Sequence, residues 1–251
     1  MESLKVAQKE HQSSIDRYWE TAFQSAQNKI AVLVEGDDDK ALLEAILSHR
    51  RKTWATAVAV IAAGGRDNVL KKLRPLDYGL VDRDTWDDET ASRKQADHGD
   101  RLYVTAGWCR ENLFLNPDWL KTHYVKAAEE LSSQREQWVR AGALWWVLQR
   151  AREAQQAWQQ AIPWDYGKPL SFDLSSGAAV TLELKARIPD KTRDDASFDA
   201  ESIGRLFQER LDHLLGRSES DQWQVGVHGK AAFHNLLIPV LQKLGLQSDN
   251  W

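Results

Sequence analysis

The sequence predicts an α/β fold, a parallel sheet flanked by helices, and three observations carry that prediction. Short apolar runs alternate with helix-like stretches over residues 28 to 115, the pattern of strands joined by crossover helices. The runs are rich in Val and Ile without polar alternation, as expected of strands covered on both faces. Acidic residues crowd the ends of those runs, where parallel sheets bind their ligands.

The elements follow in order. Residues 3 to 27 hold few strand formers and read as a polar helix. "KIAVLVEG" reads as the first strand. "DDDKALLEAILSHRR" reads as a helix capped by Asp37 or Asp38, with Leu42, Leu43, Ile46 and Leu47 on its apolar face. "ATAVAVIAAGG" is the second strand, closed by Gly64 and Gly65, and "RDNVLKKL" a short helix. "DYGLVDRD" is the third strand, "TWDDETASRKQADHGD" a polar loop, and "RLYVTAG" the fourth strand before "CRENLFLNPDWL" turns helical.

Residues 117 to 162 read as an inserted helical hairpin, with Trp138, Trp145, Trp146 and Trp158 among its apolar positions, ended by Pro163, Gly167 and Pro169. "LSFDLSSGAAVTLELKARIP" reads as a β-hairpin around Ser175 to Gly177, and "IPDKTRDDASFD" as a polar loop. "AESIGRLFQERLDHLLG" is amphipathic, with Ile203, Leu206, Phe207, Leu211, Leu214 and Leu215 on one stripe. "VGVHGKAAFHNLLIPVLQKLG" gives a short strand, a turn and a last helix kinked by Pro239. The expected organisation is an N-terminal helix at 1–27, a sheet core at 28–116, a helical insertion at 117–165 and a C-terminal α+β lobe at 166–251.

Bulk properties narrow the function. Of 251 residues, 42% are hydrophobic and 28% charged, ordinary for a globular protein. No run approaches 18 apolar residues, and the charged N-terminus lacks the apolar middle of a secretory signal, so the expected location is the cytoplasm with no membrane partner. The single cysteine, Cys109, excludes an internal disulfide and fits a reducing compartment. A net charge of −4 argues against nucleic-acid binding by bulk attraction, although metal-binding carboxylates would inflate the acidic count. The 12 tryptophans read as packing between helices in preference to stacking on bases.

The stretch "VEGDDD" puts four carboxylates within five residues at the exit of a core strand. They cap the next helix or they hold a cation. Asp82 and Asp84, two apart at the end of the third strand, would project to one side of extended backbone, with Arg83 pointing away. Asp39 lies one helical turn after Glu35 and can lean back toward it. Glu111 follows the fourth strand. Five acids thus fall at one edge of one sheet, where they would repel one another and raise several pKa values. Hard divalent cations would relieve this. Two such ions roughly 4 Å apart are a common clamp for phosphodiester cleavage.

This pattern resembles the TOPRIM domain, marked by a glutamate and glycine ending a first strand ("VEG") and a D-x-D after a later one ("DRD"). The resemblance covers about residues 28 to 115. More narrowly, the chain looks like the TOPRIM nucleases of the OLD (overcoming lysogenisation defect) group and their small stand-alone relatives in bacterial anti-phage systems. Those add an acid one turn after the first glutamate, a glutamate often in an "EN" context, and a lysine near the C-terminal end. Asp39, Glu111 in "CRENLF" and Lys230 in "VHGKAAF" fit these places. The resemblance implies Mg²⁺ or Mn²⁺, as two ions, held by Glu35, Asp39, Asp82, Asp84 and Glu111. It implies Glu35, Asp82, Asp84 and Lys230 as the catalytic set, with Lys230 steadying the scissile phosphate. The Gly64–Gly65 turn also recurs in the group, read here as a close-approach turn. OLD proteins carry an ATPase on the same chain, and no G-x-x-x-x-G-K-[ST] stretch is present here. The expected partners are therefore a nucleic-acid substrate, DNA or RNA, and a separate ATPase subunit, with homo-oligomerisation left open.

Other readings stand beside this one. A TOPRIM module that binds a partner without cutting has the same motifs. "VDRDT" also fits the D-x-D-x-T motif of haloacid-dehalogenase-type phosphotransferases, with Asp82 as nucleophile, although that motif follows a first strand and this one a third. Cys109 reads as a core thiol, and His228 and His234 as isolated histidines. The acids at 87–89 and 193–195 read as solvated loop charges, and "HRRK" at 49–52 as a solvated helix end.

Overall fold

The computed structural model describes residues 18–24, 26–154, 173–187 and 199–245. The chain divides into two compact units, one of residues 1–82 and 87–104, the other of residues 83–86 and 105–251. The first holds a four-stranded parallel sheet, the second is helical among its described residues, and each is described by itself. The sheet flanked by helices is the α/β architecture expected, consistent with a TOPRIM-like fold.

In the sheet unit, helix α1 (residues 18–24) precedes β1 (Ile30–Val34), α2 (Asp37–Arg50), β2 (Val58–Ala62), α3 (Arg66–Lys72), β3 (Tyr78–Val81), α4 (Asp88–His98) and β4 (Leu102–Val104). The strand order is β2-β1-β3-β4, all parallel. The connections leave β1 in one direction and return past it to β3, which makes the β1/β3 boundary the switch point of the sheet. One face is dry: Ala31, Leu33, Val81, Leu102 and Val104 are buried. The other is covered only in part, because Ile30, Tyr78 and Tyr103 are 45%, 46% and 57% exposed. The expectation of cover on both faces is corrected accordingly.

Two further corrections fall in this unit. The polar loop expected after β3 is helix α4, started by Asp87, whose side chain accepts the Thr90 N–H at 2.8 Å. Asp88 and Glu89 therefore lie in a first helical turn, where they complement the helix dipole. The apolar face expected on α2 is shallow: no α2 residue is buried, and Ile46 is exposed.

The second unit runs through a 3₁₀ turn (Arg110–Leu115), α5 (Pro117–His123), the 30-residue α6 (Val125–Ala154), α7 (Gly177–Arg187), α8 (Ala200–Leu215), α9 (Glu219–Val225), α10 (Gly229–Ala232), a π-helical segment (Phe233–Leu237) and α11 (Ile238–Lys243). Its core is one cluster that includes Trp108, Trp138, Trp145, Trp223, Ile203, Phe207, Leu211 and Leu214. The stripe read from α8 matches, except that Leu215 is 39% exposed and Leu206 only partly buried.

The β-hairpin expected around Ser175 to Gly177 is instead helix α7. Ser176 accepts the Ala179 N–H through its hydroxyl, and Val180 and Leu184 are fully buried one turn apart. The strand expected at "VGVH" is also absent: α9 runs to Val225 and a bend leads into α10. The C-terminal lobe is therefore helical among the described residues, with no β-component. Pro239 does perturb the last helix. It lacks the N–H that would bond one turn back, and the turn before it widens, with Ile238 N–H bonded to the Phe233 carbonyl. Trp158 and the acids of 193–195 lie outside the described residues. No helix among the described residues is long and apolar enough to cross a membrane.

Candidate functional site

The six residues singled out divide between the units: Glu35, Asp39 and Asp82 in the sheet unit, Asp84, Glu111 and Lys230 in the helical one.

Glu35 leaves β1 at the switch point. Its backbone carbonyl accepts the Gly65 N–H at 2.8 Å, and its carboxylate Oε1 accepts the Asp82 N–H at 2.7 Å. The parallel register explains this reach. Val34 pairs with Leu80, so Glu35 falls beside the residues that end β3. The turn that holds its carbonyl needs glycine for backbone reasons: φ is +74° at Gly64 and +122° at Gly65. A side chain at Gly65 would meet nothing within 4 Å. Within the chain the requirement for glycine is conformational.

Asp39 takes the capping role. Gly36 starts α2, and its N–H donates to Asp39 Oδ2 at 3.0 Å. Asp39 closes the cap, whereas Asp37 and Asp38, expected as caps, lie in the first turn and are exposed. That contact to Gly36 lies one residue from Glu35.

The D-x-D does not lie on extended backbone. The strand stops at Val81, and residues 83–86 form a turn in which Trp86 N–H bonds the Arg83 carbonyl at 3.0 Å. Asp84 has φ +48°, the left-handed region that Asp tolerates better than most residues. Its N–H donates to the Trp108 carbonyl at 2.7 Å, and Arg83 N–H donates to Thr105 Oγ1 at 3.0 Å. Arg83 Nε donates to the Trp86 carbonyl at 2.7 Å. Strand alternation therefore does not place the Asp82 and Asp84 side chains together, and that expectation is corrected.

In the helical unit, Glu111 is buried at 7% exposure in the 3₁₀ turn, with Arg110 Nε 3.5 Å from its Oε1. Cys109, which precedes this turn, is buried as expected. Its Sγ accepts the Lys230 backbone N–H at 3.2 Å, which brings the first turn of α10 against the Glu111 turn. His228 caps α10: its Nδ1 accepts the Ala231 N–H at 3.2 Å, so a neutral ring carries its proton on Nε2. Burial, with Trp108 and Trp145 against the ring, pushes the imidazole pKa down from 6.5 to about 4. The Glu111 carboxylate opposes that shift and Lys230 reinforces it.

Sequence reasoning missed Asn112. It is 1% exposed, and its Nδ2 donates to the Trp223 and Val227 carbonyls at 2.8 and 2.9 Å. Its Oδ1 accepts the Cys109 N–H at 2.9 Å. The signal available was its place, three residues after the residue that starts the turn.

Among the described residues, no group of three or more His, Cys, Asp or Glu side chains is placed to hold a metal ion. The structure brings together Glu35 with the Asp82 backbone, and the Glu111 turn with Lys230. No protein-family model matches the chain, and no curated protein matches it.

Proposed function

We propose that the chain is a metal-dependent nuclease that hydrolyses phosphodiesters of DNA or RNA, acting as an effector in anti-phage defence beside a separate ATPase. The observation that supports this best is Glu35, at the carboxyl end of β1 beside the switch point, with its carboxylate on the Asp82 backbone. Carboxylates at that place suit hard cations, which take oxygen ligands. In this reading Glu35, Asp39, Asp82, Asp84 and Glu111 supply those ligands. The five fit Mg²⁺ or Mn²⁺ in donor chemistry, although the described residues hold no ready three-acid group. A bound cation would polarise the phosphoryl oxygen and lower the pKa of its water. Lys230, exposed in the first turn of α10, offers a positive charge to the phosphate. The "VEG", "DRD" and "EN" resemblance to TOPRIM nucleases is the second support.

The test joins binding to cleavage. Purified chain is incubated with plasmid, single-stranded DNA and tRNA, with and without Mn²⁺, and Mn²⁺ binding is measured by calorimetry. Glu35→Gln keeps an oxygen for the Asp82 N–H, so its unfolding free energy should stay within about 1 kcal/mol of the unmodified chain. Cleavage should fall by at least about a hundredfold, because even outer-shell partners of a metal cost about 10–100-fold. Undiminished Mn²⁺-dependent cleavage by Glu35→Gln would sink the proposal.

A further inference from the structure

We propose that Asn112 is the positioning residue for Glu111 and Lys230 in the helical unit, fixing Lys230 in register with Glu111; this rests on the nuclease reading above. Asn112 adjoins Glu111 in the chain and bonds in two directions at once. Through Oδ1 it closes its own turn on the Cys109 N–H, and through Nδ2 it holds the carbonyls of Trp223 and Val227. Val227 precedes His228, Gly229 and Lys230, so the same carboxamide anchors both segments.

A second bridge runs from the Lys230 N–H to Cys109 Sγ at 3.2 Å. Gly229 shows how closely the two segments meet. A Cβ there would lie 2.6 Å from Asn112 Cγ, so only glycine fits against the carboxamide. An apolar side chain of Asn112's size would fill this space. Four directional bonds at one buried amide, the Cys109 thiol to Oδ1 at 3.4 Å among them, also fix register, which apolar packing does not. The Lys230 side chain itself remains exposed, free to meet a ligand from a fixed backbone.

The experiment uses the full chain with Asn112→Ala, Cys109→Ala and Cys109→Ser. Steady-state cleavage is measured per folded molecule, and amide hydrogen exchange is followed at Cys109 and Lys230. Asn112→Ala should speed exchange at both amides by at least about tenfold. It should lower kcat by about ten- to a hundredfold, the scale of a small misplacement of reacting groups, with KM little changed. Cys109→Ala removes the Lys230 acceptor and the thiol's own contact to Asn112 Oδ1 at 3.4 Å while leaving the carboxamide in place, and should lower kcat in the same direction; Cys109→Ser keeps both roles and should restore it. Loss of folded protein with unchanged kcat per folded molecule would mark a merely structural amide and overturn the proposal. Cleavage by the unmodified chain with unchanged kcat in both Asn112→Ala and Cys109→Ala would overturn the positioning role alone. No cation-dependent cleavage by the unmodified chain would overturn the nuclease reading and the positioning role with it.

Discussion

The two units hold their acidic residues under opposite conditions. In the sheet unit Glu35 and Asp39 are half-buried, and each accepts a backbone N–H at the end of a sheet with one partly open face. In the helical unit Glu111 is buried beside Asn112, Cys109 and a neutral His228. Water remains available to the first set and is largely excluded from the second. A half-exposed carboxylate can exchange water for a cation at small desolvation cost, whereas a buried one needs a compensating charge. The Arg110 guanidinium near Glu111 gives part of that compensation.

The largest effect that would break this contrast is in the helical core. Phe207 is fully buried on α8 within a cluster of Ile203, Leu211 and Leu214. Phe207→Ala should cost about 3–5 kcal/mol of stability by removing buried surface and leaving a cavity. Urea unfolding measures it. If the sheet unit keeps its own site, Mn²⁺ binding that depends on Glu35 should be unchanged below the transition. A proportional loss of that binding would show that the Glu35 site depends on the helical core.

The contrast also explains what the sequence revealed. The strands were legible because each is a short β-branched run between turn residues, and the Val34–Leu80 register then puts Glu35 beside Asp82. Helix α4 was not legible because Ala91 is its one buried residue, leaving no apolar stripe to read. Its only signal was the Asp87 to Thr90 cap. Helix α7 was misread because Val180 and Thr181 favour strands and "SSG" imitates a turn. The Val180–Leu184 spacing and the Ser176 cap were the opposing signals. Asp84 escaped because alternation assumes extended backbone, and its left-handed φ is set by bonds to the 105–108 segment, distant in sequence. For Asn112 only the local cap on Cys109 was legible from its place in the turn, since its partners Trp223 and Val227 lie more than a hundred positions away.

A pH titration tests the dryness of the helical half. The folded His228 pKa is about 4, below its ordinary 6.5. The unfolded chain therefore binds this proton first as pH falls. The stability tied to the neutral ring is fully present above pH 6.5 and is lost as pH drops from there toward 4. The shift corresponds to about 3 kcal/mol. His228→Asn keeps a capping acceptor for the Ala231 N–H and removes the titration, so its stability should vary less between pH 7 and 4.5. Equal slopes for the two proteins would mean that water reaches the ring and that the helical half is as wet as the sheet half.

The smallest expected change is at Asp39, and it decides between the two readings of the acidic run. Its carboxylate accepts the Gly36 N–H at the start of α2. Asp39→Asn keeps an oxygen for that bond and removes the charge. Asp39→Ala removes both, which should cost about 1 kcal/mol. If Asp39 only caps the helix, Asn restores stability and Mn²⁺ affinity stays unchanged. If it also ligates a cation, Asn restores stability while the affinity falls with Asn and Ala alike, because a neutral amide is a poorer ligand for a hard cation. Thermal unfolding and Mn²⁺ calorimetry on the same two variants separate these outcomes. A lost affinity in both would make the cap a device that aims the carboxylate, since the bond to Gly36 occupies Oδ2 and sets the orientation of the group one turn from Glu35.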